Sequence, residues 1–418
     1  MPEIVLACRD CGQIYRASED LLRSRRLLCR RCRARLWQAP SVALADPRAF
    51  AVAGAILLLL ASALPLFEIS LQGDRRSGLI ASGAASLLQY GDGISAVGVL
   101  VALIAVAVPA LSVVLLVIVL VRLRAEEGGR ARPRLGLAAM WRAALRLRPW
   151  AMLDVVLLGA VVAYTRLDQL ATVTVRAGGY ALAAFVLVQV LIEQTLGQER
   201  VWNAIDDPAK YSPAPGEPWV LCLDCDLVVG ARHIQGGERR RCPRCGARLA
   251  PRRAGSLAAT AALILAGFIL YLPANLFPVL TITRFGRSQA YTIMGGVRDL
   301  AQAGLWPLAL LVLLASVVVP VLKLTGLTWC LVAIRTRSAW LLRQRTAFYR
   351  FIDYIGRWSN IDVFVVAIVV ALVQFGTLTT VEPGPGIASF AAVVVLTMVA
   401  ADAFDPRLMW DAAMRRRG

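Results

Sequence analysis

Eight long apolar runs, separated by short polar segments, set the plan of this chain. They lie at roughly 49–66, 94–121, 150–166, 178–196, 254–276, 305–334, 358–379 and 386–402. Most approach the ~20 residues with which a helix crosses a bilayer. The pattern therefore predicts an all-α polytopic membrane protein with eight transmembrane helices. The runs at 94–121 and 305–334 are longer, and they contain Pro109, Pro307 and Pro320. Tilting, a kink or extension past the membrane is expected there.

Composition agrees with this pattern. The 418 residues are 58% hydrophobic and the mean hydropathy is +0.64, too apolar for a soluble chain of this size. The net charge of +19 would suggest nucleic acid in a soluble protein. Here the positive-inside bias explains it. With the N-terminus inside, the inner segments hold 38 of the 46 Lys and Arg and the outer segments hold 7. That asymmetry puts both termini in the cytoplasm, and no nucleic-acid partner is expected. No signal peptide is visible, since the chain opens on a polar, Cys-rich segment.

Each set of four apolar runs is headed by a C-x-x-C…C-x-x-C segment. The first is Cys8, Cys11, Cys29 and Cys32; the second is Cys222, Cys225, Cys242 and Cys245. Intervals of 17 and 16 residues suit a four-thiolate zinc site. Four protein ligands leave no open coordination position, so each Zn²⁺ should be structural rather than catalytic. A reducing cytoplasm also favours metal thiolates over disulfides. Rubredoxin-like iron is the alternative occupant. Cys330, the ninth cysteine, falls inside an apolar run, and His233 is the only histidine. With no second histidine, no phosphate-binding loop and no nucleotide fingerprint, an enzyme is not expected.

The two halves align at an offset of 208 to 214 residues: Pro65 with Pro273, Pro109 with Pro320, Trp150 with Trp358, Asp154 with Asp362 and Trp202 with Trp410. Four spans per half insert both halves the same way, so the repeat is parallel. The expected organisation is zinc ribbon 1 (1–48), transmembrane repeat 1 (49–202), a Pro-rich linker (203–218), zinc ribbon 2 (219–253) and transmembrane repeat 2 (254–418).

Polarity distinguishes the halves. Lys323 stands in the sixth span where the second has Ser112. An ammonium within a span costs a few kcal/mol and marks a protein interior or watery cavity. Ser316, Pro320 and Lys323 share one helix face by their i, i+4, i+7 spacing. Asp362, with Ser359 one turn before it, and Thr397 in the eighth span complete a candidate polar network. A Lys323–Asp362 pair would satisfy both charges, provided the sixth span extends inward or the seventh begins deep. The fifth span ends Leu272-Pro273-Ala274-Asn275 where the first ends Leu64-Pro65-Leu66-Phe67, which makes Pro273 and Asn275 candidates for a lipid path.

Several of these segments, namely Leu272-Pro273-Ala274-Asn275, Gly356-Arg357-Trp358-Ser359 with Asp362-Val363-Phe364, Glu382-Pro383-Gly384-Pro385 and Phe404-Asp405-Pro406-Arg407, resemble the paraquat-inducible protein A family. The resemblance implies an inner-membrane protein of Gram-negative bacteria working with a mammalian-cell-entry (MCE) domain protein, whose periplasmic tunnel carries membrane lipids for outer-membrane homeostasis. Two other classes stay open. One is a proton-coupled secondary transporter of a small solute using Lys323 and Asp362. The other is a redox or stress-sensing membrane protein using the metal thiolates.

Overall fold

The structure, a computed structural model, describes residues 4–17, 26–38, 47–71, 74–125, 135–167, 172–214, 216–234, 240–284, 286–373 and 379–415. Among them, seven helical stretches are long and apolar enough to cross a membrane: Gly93–Leu123, Gly136–Thr165, Ala177–Thr195, Ser256–Leu276, Trp306–Arg335, Leu342–Leu372 and Gly386–Ala403. Pro47–Ala63 is equally apolar with 17 residues. The chain is a multi-pass membrane protein.

Outside the cysteine modules, the repeat extends through the whole order of transmembrane elements. The first half runs α1 (Pro47–Ala63), a hairpin β5–β6 (Phe67–Leu71, Asp74–Gly78), α2 (Ile80–Leu88), then α3 (Asp92–Ala102) continuing through a π turn (Leu103–Ala107) into α4 (Val108–Ala125). It goes on through α5 (Leu135–Leu147), a 3-10 turn (Arg148–Trp150), α6 (Leu153–Leu167), β7 (Thr172–Val175), α7 (Ala177–Thr195) and α8 (Gln198–Ile205). The second half repeats this order with α9 (Ser256–Leu276), β10–β11 (Leu280–Arg284, Arg287–Tyr291), α10 (Ile293–Gln302), α11 (Trp306–Leu313), a π turn (Leu314–Val318) and α12 (Val319–Arg335). It closes with α13 (Leu342–Ile355), a 3-10 turn (Gly356–Asn360), α14 (Ile361–Leu372), β12 (Thr379–Pro383), α15 (Gly386–Ala403) and α16 (Arg407–Met414). Both π turns stand just before the repeated proline, Pro109 or Pro320. An inserted residue there absorbs the backbone bonds that proline cannot make.

On the side away from the cysteine modules, each half carries a three-stranded sheet that apolar periodicity did not signal. β5 lies between β6 and β7, antiparallel to both, and β10 lies likewise between β11 and β12. The sheets tie the end of α1 to the start of α7, and the end of α9 to the start of α15. That approach is close: a Cβ on Gly178 would strike Leu64 O, and one on Gly386 would strike Phe277 O. Substituting either glycine would push the helix off its sheet.

The shared core is centred on α14. Every residue of it is buried except Ile368 and Ala371, as expected of a helix apolar all round. It packs on α6 and α2 of the other half, with Gly159 against Phe364 and Gly83 against the Ala367 carbonyl. The seventh apolar run thus ends as a helix at Leu372, not at 379. Its ribbon-side approach is filled by α13, which folds back along α12, with Gly326 facing Ile352 and Phe348.

Candidate metal centres and buried polar cluster

Each cysteine quartet is assembled by short antiparallel strands. β1 (Ile4–Ala7) pairs with β2 (Ile14–Ala17), β3 (Arg26–Leu28) with β4 (Arg35–Gln38), and β8 (Trp219–Leu221) with β9 (Val228–Gly230). All four C-x-x-C knuckles turn in one way. The residue after the second cysteine has positive φ (Gly12, Arg33, Asp226, Gly246). Its N–H donates back to the first cysteine's carbonyl, at 2.8 to 2.9 Å. Glycine suits this left-handed position, and Arg33 and Asp226 accept its cost so that the knuckle closes.

Within each quartet the four sulfurs lie within 4.8 Å of one another. Cys8–Cys32 and Cys11–Cys29 are both 3.5 Å apart, Cys222–Cys245 is 3.6 Å and Cys225–Cys242 is 3.7 Å. A tetrahedral zinc with Zn–S bonds of ~2.3 Å requires sulfurs about 3.8 Å apart, whereas a disulfide brings them to about 2 Å. All eight are buried free thiols, and the donor sets fit two closed metal sites.

The modules dock crosswise. Module 2 sits on the first half: Arg146 of α5 reaches Asp224 with two bonds of 2.9 Å, and Arg142 donates to Cys245 O at 2.6 Å. Module 1 sits on the second half, where Arg350 of α13 donates to Asp10 at 2.9 Å and to Cys32 O at 3.2 Å. The arginine–tryptophan stacks repeat as well, Arg31 over Trp410 and Arg244 over Trp202. Arg9 and Asp226 join the two modules directly. Nearby, burial and then the charge of Asp226 push Glu199 up to about 8.

Phe404-Asp405-Pro406-Arg407 forms a second ribbon-side joint. Asp405 and Arg407, both 2% exposed, pair at 2.7 Å, and Asp405 also accepts from Arg253 N at 3.2 Å. Burial acts against the Asp405 carboxylate, but the Arg407 hydrogen bond prevails and keeps its pKa below the ordinary value.

Inside the membrane, Lys323 is 1% exposed. Its Nζ donates to Gly356 O at 3.0 Å and to Thr397 Oγ1 at 3.1 Å. Asp362 does not form the expected ion pair with it; Asp362 instead accepts from Ser316, whose hydroxyl sits in the π turn. The seventh segment does begin deep, as the pairing needed, yet it presents Gly356 rather than Asp362 to the ammonium. A Cβ at position 356 would lie 2.5 Å from Lys323 Cε and 2.9 Å from Nζ, so any other residue there would push the ammonium from its present place.

Ser359 is fully buried and its hydroxyl has no hydrogen-bond partner. Beside it, Asn360 Nδ2 reaches Met152 Sδ at 3.1 Å and Met398 Sδ at 3.6 Å, a contact between the halves. Pro273 and Asn275 lie elsewhere. Gly267 of α9 packs level with Thr397, and Asn275 is eight residues, or about 12 Å, further along, donating to Tyr271 O at 2.9 Å. The sequence reading met Gly356 only as part of the Gly356-Arg357-Trp358-Ser359 motif and missed Asn360, whose one signal was its place beside Ser359.

Comparison with known proteins agrees with this architecture. The family model described as Paraquat-inducible protein A matches residues 44–206 and 257–414, one stretch in each half. Intermembrane transport protein PqiA of Escherichia coli (strain K12) is 29% identical over 422 residues, covering 97% of this chain and 95% of the relative. Lipophilic envelope-spanning tunnel protein A of the same organism is 30% identical over 407 residues, covering 97% and 91%. A probable intermembrane transport protein of Haemophilus influenzae is 27% identical over 273 residues, 65% of each chain. No solved structure matches. Matched in both halves and aligned with its relatives almost from end to end, the chain belongs to the paraquat-inducible protein A family.

Proposed function

We propose that this protein is a non-enzymatic inner-membrane subunit of an intermembrane lipid-transport system, exchanging lipids with a periplasmic MCE-domain tunnel protein. Its relatives' names, an intermembrane transport protein and an envelope-spanning tunnel protein, carry this reading. Physical chemistry supports the need for a partner. Beyond the membrane, opposite the cysteine modules, the described residues form two three-stranded sheets and the short helices α2 and α10. These are too small to shield acyl chains across an aqueous gap, and exposure costs about 0.8 kcal/mol per CH₂.

In this reading the modules lie in the cytoplasm and hold two Zn²⁺ ions, each supplying a closed structural crosslink in place of a hydrophobic core. Lys323, Thr397 and Gly356 O form one part of the working network, and Ser316 and Asp362 the other. Ser359, whose buried hydroxyl has no hydrogen-bond partner, would join either in an alternative state. Rearrangement of α12 against α14 would exchange these hydrogen bonds and move the surrounding helices.

Crosslinking in native membranes tests the proposal. Photo-reactive residues in 67–92 or 280–304 should capture an MCE protein, and photo-reactive phospholipid should label the second half. Recovery of neither, together with uptake of a water-soluble solute by the protein alone in vesicles, would replace lipid exchange with solute transport.

A further inference from the structure

Superposing the halves by their repeat shows where the first differs from the second. Ser316, Lys323, Gly356, Ser359 and Thr397 correspond to Ala105, Ser112, Arg148, Ala151 and Gln189, while Asp362 keeps its carboxylate as Asp154. Where Lys323 fills the second half, the first has a cavity of about 100 Å³ between α4, the 3-10 turn, α6 and α7. Its cation comes from the other side: Arg148, in the place of Gly356, pairs with Glu193 with Nε 3.1 Å from Oε1. The short Ser112 leaves the space open.

The lining holds two acceptors that lack donors. Ala105 has no hydroxyl to give Asp154, which has no hydrogen-bond or ion-pair partner among the described residues. The Gln189 Oε1 is buried without a partner. Asp154 and Glu193 outnumber Arg148, so an occupant should bring positive charge and N–H groups. Apolar Phe185 and Val190 complete the wall, and Val190 is 46% exposed on the lipid-facing surface of α7. The mouth therefore opens sideways beside Val190, where a bilayer lipid can reach it.

From this we infer that the first half holds a headgroup site for a phospholipid bearing a primary ammonium, such as phosphatidylethanolamine. The ammonium donates to Asp154 and Gln189 Oε1. The phosphate meets the guanidinium N–H groups that Glu193 leaves unused, since arginine has five donors. The chains stay in the bilayer, because the cavity admits only a small polar group. This site does not depend on the transport reading, and it requires only the purified protein.

Native mass spectrometry of the full chain released from nanodiscs of equal phosphatidylethanolamine, phosphatidylglycerol and phosphatidylcholine tests it. Phosphatidylethanolamine should be retained at least five-fold over each of the others, the phosphatidylcholine arm showing that N–H donors are needed and not charge alone. Ser112→Lys, which supplies the second half's own cation, and Asp154→Asn should each erase that preference without lowering the melting temperature. Chain-free glycerophosphoethanolamine at millimolar concentration should not displace the lipid. Equal retention of the three lipids, preference for phosphatidylglycerol, unchanged preference in both variants, or full displacement by the soluble headgroup would each overturn the assignment.

Discussion

The two transmembrane repeats share their order of helices, turns and strands, yet they place charge in the membrane by opposite routes. The second sends Lys323 from α12 into space that Gly356 leaves open. The first sends Arg148 from the 3-10 turn toward Glu193 and leaves a cavity beside Ser112. A lysine at 112 beside Arg148 would set two cations together, and a side chain at 356 would collide with Lys323. The two differences therefore accompany one another. One half has a packed, hydrogen-bonded cluster and the other an open pocket.

The strongest way to break the comparison is to remove the packed charges. Lys323→Ala and Asp362→Ala should each reduce lipid transport more than ten-fold in a membrane-integrity or reconstituted transfer assay. Leaving a buried hydrogen-bonding partner unsatisfied costs about 1–3 kcal/mol, so protein abundance in the membrane must be measured alongside. Transport at wild-type level in either variant would remove that residue from the mechanism.

Gly356→Ala probes the same cluster without deleting a charge. Its Cβ would displace Lys323 Nζ and break the bonds to Gly356 O and Thr397. A several-fold loss of transport with unchanged expression is expected. An unaffected Gly356→Ala protein would mean that the ammonium can work from another position.

A change in the ribbons should act across the molecule. Cys222→Ser with Cys225→Ser should lower bound zinc from two ions per chain to one, measured by metal analysis. Because module 2 docks on α5, hydrogen exchange should rise in 135–147 of the first half more than in 342–355 of the second. The reverse pattern would contradict crosswise docking, and stoichiometric iron in the wild type would contradict zinc. The smallest effect belongs to the exposed docking contact: Arg146→Ala should cost no more than about 1 kcal/mol of stability.

Much of this architecture was readable beforehand, because bilayer thickness and thiolate chemistry leave strong, local marks. Apolar runs gave the helical passes, C-x-x-C spacing gave the quartets, and the proline, tryptophan and aspartate matches gave the repeat. Features without local marks stayed hidden. Crosswise docking joins residues such as Asp10 and Arg350, 340 positions apart, and their charges look like any cytoplasmic pair. The partner of Lys323 is a glycine carbonyl, which has no side-chain signature. The depth of Gly356 depends on α13 folding back along α12, and that polar, amphipathic segment reads as a loop. The hairpins escaped because strands such as Arg287–Tyr291 are exposed and polar, so no apolar alternation announces them.

In the proposed mechanism the second half's buried cluster works in transport and does more than hold α12 to α14. Lipid transfer by the double variant Lys323→Met with Asp362→Leu tests it most directly, since matched apolar replacements can restore packing without restoring polarity. The account predicts a folded, normally abundant protein that transfers no lipid; transfer at the wild-type rate would show that the cluster serves packing alone.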